Sequence, residues 1–121
     1  MLSDRHEARL ADCARVLGDE TGAGVPSIAC DVTDEKQVRE MFRCAVSEMG
    51  HVDVLVNNAG LGGTTNVVDM TDRQWHDVVD VTLNGTFRCT RAAMRHMMPR
   101  RRGSIVNVGS ALGWRAQAGQ A

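Results

Sequence analysis

Asp53-Val54-Leu55-Val56-Asn57-Asn58-Ala59-Gly60 is the stretch that decides how this chain folds. Val52 to Val56 reads as a short apolar strand, and it runs directly into Asn57-Asn58-Ala59-Gly60. Taken alone, that sequence could be no more than a strand-to-helix turn. Its surroundings give it more meaning, because helical and strand patterns alternate on both sides with short turns between them. Such alternation argues for parallel strands crossed over by helices.

Upstream, Val38, Met41, Phe42, Ala45, Val46 and Met49 recur at helical spacing. Thr33 or Asp34 can cap this helix, and Gly50 stands where a helix end favours a left-handed residue. Before it the sequence predicts a strand over Val25 to Val32. Earlier still it predicts a helix from Arg5 to Gly18 with a stripe of Leu10, Cys13, Ala14 and Leu17, broken by Gly22 and Gly24. Downstream comes a glycine-rich loop, Leu61 to Thr65, and then Thr71 with Gln74 forms a capping box. That box opens one long predicted helix reaching Met98, with Trp75, Val78, Val79, Thr82, Leu83, Thr86, Thr90, Ala93, Met94 and Met97 on its buried face. Pro99 and the Arg100-Arg101-Arg102-Gly103 turn end it. Ser104 to Val108 reads as the final strand, followed by Gly109-Ser110 and a loop from Ala111 to Ala121.

The 121 residues leave room for at most one domain. With 43% hydrophobic and 24% charged residues and a net charge of −1, the chain has no basic excess for nucleic acid or an anionic membrane. Lys36 is the only lysine among fourteen basic residues, which reads as the bias of a GC-rich genome. Cys13, Cys30, Cys44 and Cys89 form no CxxC pair and no zinc spacing with His6, His51, His76 or His96, so no metal is expected. The cysteines read as buried free thiols in a reducing cytoplasm, the histidines as surface residues, and the arginine run at 100–102 as solvated charge. No apolar run reaches the ~18 residues of a membrane helix, and the polar N-terminus does not read as a signal peptide.

In an open parallel sheet, ligands bind beyond the carboxyl ends of the strands. Three such ends carry small or polar residues here: Asp31-Val32, Asn57 to Gly60, and Gly109-Ser110. Small residues let a flat cofactor approach the backbone, and an aspartate can accept a hydrogen bond from an adenine amino group. Together these three blocks resemble signature segments of the short-chain dehydrogenase/reductase family, and the resemblance covers nearly the whole chain. It implies an α/β fold with a Rossmann-type doubly wound parallel sheet. The sheet is expected to be incomplete, with the first strand, most of the second and the C-terminal strands absent, so that residues 1–121 form a partial NAD(P)-binding domain. It also implies Asp31 and Val32 at the adenine ring, and Asn58, Ala59 and Gly60 along the dinucleotide. Ser110 is implied at the substrate carbonyl, where its hydroxyl can donate as negative charge develops. Asp4 falls where the family's second strand ends; a carboxylate there accepts from a ribose hydroxyl and favours NAD over NADP, although Arg5 could do the reverse and Asp4 could simply cap the helix.

Two departures from the family pattern stand out. The relay asparagine that the family carries in a Val-Asn-Leu context is replaced, since Val81-Thr82-Leu83 stands there, and Asn84 lies about 200° further round a helix. The family's Tyr-x-x-x-Lys should begin about 13 residues after Ser110, beyond Ala121, and the glycine-rich phosphate loop is not present either. The sequence therefore predicts an oxidoreductase by descent, interconverting a secondary alcohol and a ketone, whose residues 1–121 are inactive alone and marginally folded. Its loops are most similar to actinobacterial steroid-degradation members, with 3-oxoacyl-carrier-protein reductases next. The competing reading is a non-catalytic remnant, or an interaction fragment pairing through the helix at 71–98, a helix that often forms a subunit interface in this family.

Overall fold

Asp34 accepts hydrogen bonds from the backbone N–H groups of Lys36 (2.7 Å) and Gln37 (3.3 Å). Those are two of the donors that every helix start leaves open, and helix α2 follows over Glu35–Met49. Gly50 ends it with φ of 76°, a conformation that costs glycine little. The computed structural model describes residues 1–63, 65–115 and 117–119, so the expected loops at 61–65 and 111–121 lie partly outside the described residues.

The chain begins with a strand, β1 (Leu2–Asp4), and continues through α1 (Glu7–Thr21), β2 (Ser27–Ala29), α2 and β3 (Val54–Asn57). Helix α3 (Asp72–Val79), a π-helical turn (Asp80–Gly85), α4 (Thr86–Met97) and β4 (Ser104–Asn107) follow, with short 3-10 turns at Val67–Asp69 and Ala111–Gly113. β1 pairs in parallel with β2, Leu2 opposite Ser27 and Asp4 opposite Ala29. β3 pairs in parallel with β4, Val54 opposite Ser104 and Asn57 opposite Asn107. The two pairs are separate sheets, and β1 is not hydrogen-bonded to β3.

α2 and α4 supply most of one core. Val38, Met41, Phe42 and Ala45 meet Cys89, Ala92, Ala93 and Met97, with Ile28, Leu55 and Ile105 of the strands packed against them. Both sheets thus lie on a common layer of two helices. α1 contacts β1 and β2 and buries only Leu10. Parallel crossovers are right-handed. The path from β1 to β2 and the return toward β3 run in opposite directions, which puts α1 and α2 on opposite faces.

Several expectations are corrected. A strand stands at the N-terminus, and α1 starts at Glu7 rather than Arg5, because Asp4 continues β1 and accepts from the backbone N–H of His6 (2.9 Å). The strand expected over residues 25–32 is three residues long. The helix expected to run unbroken to Met98 is interrupted at Asp80–Gly85. There the Thr86 hydroxyl donates to the Thr82 carbonyl (2.7 Å), a back-bond that bends helices, and the π turn shifts the phase of the apolar face. Trp75, Thr82, Leu83 and Met94, expected inside, are exposed. Cys30 and Cys89 are buried, but Cys13 is exposed and Cys44 is half-buried. His96 is half-buried, stacked on Phe42 with ring centroids 6.1 Å apart. Arg100 pairs with Asp53 at 2.9 Å instead of standing free in solvent. Among the described residues no helix is long and apolar enough to cross a membrane.

Candidate functional site

The carboxyl ends of β1, β2 and β3 open into one cavity of about 750 Å³. Asp4, Asp31, Val32, Asn58, Ala59 and Gly60 all line it, so six of the seven candidate residues are brought together. Ser110 is not among the lining residues and is exposed.

Each strand end is shaped by local hydrogen bonds. Asp31 lies two residues past β2; its Oδ1 accepts from the Thr33 N–H (2.9 Å) and the Thr33 hydroxyl (2.7 Å), while its own N–H donates to Gln37 Oε1 (2.9 Å). That turn presents the carboxylate at a fixed place beside Val32. The Val32 carbonyl accepts from the Arg88 guanidinium (3.4 Å), which also grips Asp80 Oδ1 (2.8 Å). The Asn84 amide and Arg88 hold the Asp80 carboxyl below the usual carboxylate range. Gly85 completes this contact by lacking a side chain. A Cβ there would lie 2.6 Å from Val32 Cγ2, closer than packing permits.

Asp4 is already engaged. Arg9 holds both of its oxygens (2.9 and 2.8 Å), and with the His6 N–H this lowers the carboxyl's pKa. A ribose hydroxyl would share that carboxylate with Arg9. The Ser110 hydroxyl accepts from the Leu112 N–H (3.2 Å) at the start of a short 3-10 turn, Ala111–Gly113. Accepting there leaves the hydroxyl proton free to donate elsewhere.

Sequence reasoning missed the network behind Asn58. Asn57 is buried, and its amide donates to Asn107 Oδ1 (2.8 Å) and to the Thr90 hydroxyl (3.1 Å), tying β3 to β4 and α4. The signal was the shared register of the two asparagines at the ends of neighbouring strands. Thr82, standing where the family pattern has asparagine, accepts from the Leu61 N–H (3.3 Å) and so anchors the loop after Gly60. Asn84 is committed to Asp80 (3.0 Å) and does not take that place. Among the described residues, no cluster of His, Cys, Asp or Glu is placed to hold a metal ion.

The arrangement suits a flat nucleotide. The mouth offers small residues at 59 and 60, an acidic acceptor at Asp31 and the carboxyl ends of parallel strands, where phosphate- and ring-bearing ligands bind. The model of the short chain dehydrogenase family matches residues 1–121. The chain belongs to this family. It is 48% identical over 121 residues to (5R,7aS)-5-hydroxy-7a-methyl-1-oxo-2,3,5,6,7,7a-hexahydro-1H-indene-carboxyl-CoA reductase of Mycobacterium tuberculosis, covering 99% of this chain and 46% of that protein. It is 35% identical over 108 residues to the 3-oxoacyl-acyl-carrier-protein reductase FabG of Escherichia coli, covering 89% of this chain and 44% of that one. A short chain dehydrogenase structure from Mycobacterium smegmatis superposes with a TM-score of 0.92 at 48% identity, covering 98% of this chain and 50% of that chain. Two more distant solved structures are an actinorhodin polyketide ketoreductase with NADPH (33% identity, TM-score 0.91, 97% and 45% covered) and an NAD+-bound xylitol dehydrogenase (28%, 0.91, 98% and 45%). The chain spans about half the length of the curated relatives it matches. The incomplete Rossmann-type α/β architecture and the oxidoreductase family read from the sequence both stand.

Proposed function

We propose that residues 1–121 are part of an NAD(P)-binding domain of an oxidoreductase that interconverts a secondary alcohol and a ketone by hydride transfer. The observation that carries this reading is the convergence of Asp31, Val32, Asn58, Ala59 and Gly60 on one cavity at the carboxyl ends of parallel strands. In this reading Asp31 and Val32 meet the adenine and Asn58 to Gly60 flank the dinucleotide. Ser110 donates to the substrate oxygen. Asp4 tilts the preference toward NAD, since its carboxylate would repel a 2′-phosphate, although the Arg9 pairing weakens that bias. Similarity to the mycobacterial indene-carboxyl-CoA reductase favours a fused-ring ketone carried on coenzyme A, with 3-oxoacyl thioesters next. Free thiols at Cys13, Cys30, Cys44 and Cys89 support a reducing, cytoplasmic setting.

Fluorescence titration of the chain with NADH and NADPH tests the reading. Saturable binding is expected, with NADH the tighter, and Asp31→Ala should weaken it about tenfold, the value of one hydrogen bond to a charged group. No saturation by either nucleotide overturns it. Hydride transfer to a ketone by residues 1–121 alone is not expected, and measured turnover would refute that part. A second reading, pairing through the helices at 71–98, rests on Leu83, Phe87 and Met98, which are more than half exposed on one helical segment. Light scattering that reports a monomer at all concentrations would remove it.

A further inference from the structure

The turn that carries Asp31 and Val32 is held from two directions. On one side it belongs to the start of α2. The Asp34 N–H donates to the Asp31 carbonyl (3.0 Å), and Gln37 of the first helical turn accepts from the Asp31 N–H (2.9 Å). On the other side the π turn and α4 meet it, and both of their contacts fall on Val32. Arg88 donates to the Val32 carbonyl (3.4 Å). Gly85 lies so close that a Cβ there would come within 2.6 Å of Val32 Cγ2 and 3.0 Å of its Cβ.

Arg88 is built to transmit position. Its side chain is only 20% exposed, and a guanidinium is a planar fork whose donors point in fixed directions. Nη2 donates to Asp80 Oδ1 (2.8 Å), while Nη1 donates to the Asp80 carbonyl (3.4 Å) as well as to that of Val32. Asp80 is in turn gripped by the Asn84 amide (3.0 Å), so the fork is aimed before it reaches Val32. Neither Arg88 nor Asp80 lines the cavity. The same π turn carries Thr82, which accepts from the Leu61 N–H (3.3 Å) just beyond Gly60. Asp80–Gly85 together with Arg88 therefore touches both walls of the mouth, Val32 on one side and the loop after Gly60 on the other.

We propose that Arg88, aimed by Asp80, is a positioning residue for base recognition. It holds Val32, and with it the Asp31 carboxylate, at the separation from Asn58 to Gly60 that an adenine ring needs. The inference rests on the reading of this cavity as a nucleotide site and deepens it. Asp31 Oδ1 is bonded inside the turn to the Thr33 N–H and hydroxyl, so a displaced Val32 carries the carboxylate along. The consequence is discrimination between bases more than overall affinity. Adenine offers an amino group to Asp31, whereas hypoxanthine sets a carbonyl oxygen there, which a carboxylate repels.

The test titrates the 121-residue chain, by fluorescence, with NADH and with reduced nicotinamide hypoxanthine dinucleotide. The native chain should favour NADH about tenfold, because the analogue loses a hydrogen bond to a charged group. Arg88→Met keeps the length of the stem and removes the fork, and should cut that preference to about two- to threefold, most of one hydrogen bond's worth of selectivity. A smaller folded fraction weakens both dinucleotides alike and leaves their ratio unchanged, so the ratio separates positioning from stability. Hydrogen exchange in Arg88→Met should quicken at the Thr33 amide and stay unchanged at Val38, whose N–H is bonded within α2 to the Asp34 carbonyl. Asp80→Asn, a milder change that removes the charge aiming the fork, should lower the preference in the same direction. No saturation of the native chain by either dinucleotide ends the cofactor reading and this proposal with it. The proposal alone is overturned if the native chain binds both bases equally, or if its NADH preference survives in full in Arg88→Met or, should that variant not fold, in Asp80→Asn.

Discussion

The two parallel pairs are built alike and anchored very differently. β3 and β4 share four residues of register, sit against the α2–α4 core, and are tied at one end by Asn57 and at the other by the Asp53–Arg100 ion pair. β1 and β2 share three residues, and the helix on their outer face buries Leu10 alone. The difference teaches that a parallel pair draws its rigidity from what crosses its ends and covers its faces, more than from its own ladder. Phe42 belongs to the layer beneath both pairs, while Leu10 serves only the weaker one. Phe42→Ala should cost about 3–5 kcal/mol and Leu10→Ala about 2 kcal/mol, the smaller value because the exposed flank of α1 can collapse toward the gap. Chemical denaturation of the two variants checks the order, and equal losses would erase the distinction between the pairs.

The polar tie at Asn57 is the next place to break the comparison. Asn57→Leu keeps the volume and leaves the Thr90 hydroxyl and Asn107 amide without their partner, a loss of about 1–2 kcal/mol given that Asn107 still reaches water. Exchange should quicken at the β4 amides and stay unchanged at Leu2 and Asp4. If both pairs loosen together, Asn57 is a general core residue and not a specific tie between β3 and β4.

These contrasts also mark what the sequence could carry. Helices α1 and α2 were legible because a 3.6-residue apolar stripe of fifteen residues repeats enough to be seen, and their ends carry chemical punctuation, Asp34 and Gly50 for α2. β1 left no pattern, because three residues contain no period; only the family resemblance pointed to a strand ending at Asp4. The break at Asp80–Gly85 was hidden for a different reason. Val81, Thr82 and Leu83 continue the helical pattern, and the π turn is accompanied by side-chain bonds that a periodicity does not record, from Asn84 and Arg88 to Asp80 and from the Thr86 hydroxyl to the Thr82 carbonyl. The cavity-lining candidates were legible as strand ends, since position along a parallel strand dictates where a residue emerges. That Asp4 is held by Arg9, and that Ser110 caps its own turn, depends on distances the sequence leaves open.

The smallest effect lies at the other end of β3. The Arg100 guanidinium, 2.9 Å from Asp53 Oδ1, holds that carboxyl below the usual range, helped by the charges of His51 and Arg102. A depressed folded-state pKa stabilises the fold above the ordinary carboxylate value of about 4, and the contribution fades as pH falls through the lowered one. The pair is solvent-exposed, so its contribution is modest and screened by salt. Asp34 and Asp80 are shifted in the same direction, so acid weakens the native chain whichever residue is changed. The informative quantity is therefore the gap in thermal midpoint between native chain and Arg100→Ala. At low ionic strength it should be small but measurable near pH 7, and should close as pH drops below about 3. A gap that persists undiminished in acid would mean that Arg100 acts through its hydrogen bond to the Val52 carbonyl (3.5 Å), and the ionic tie would then drop out of the contrast between the two pairs.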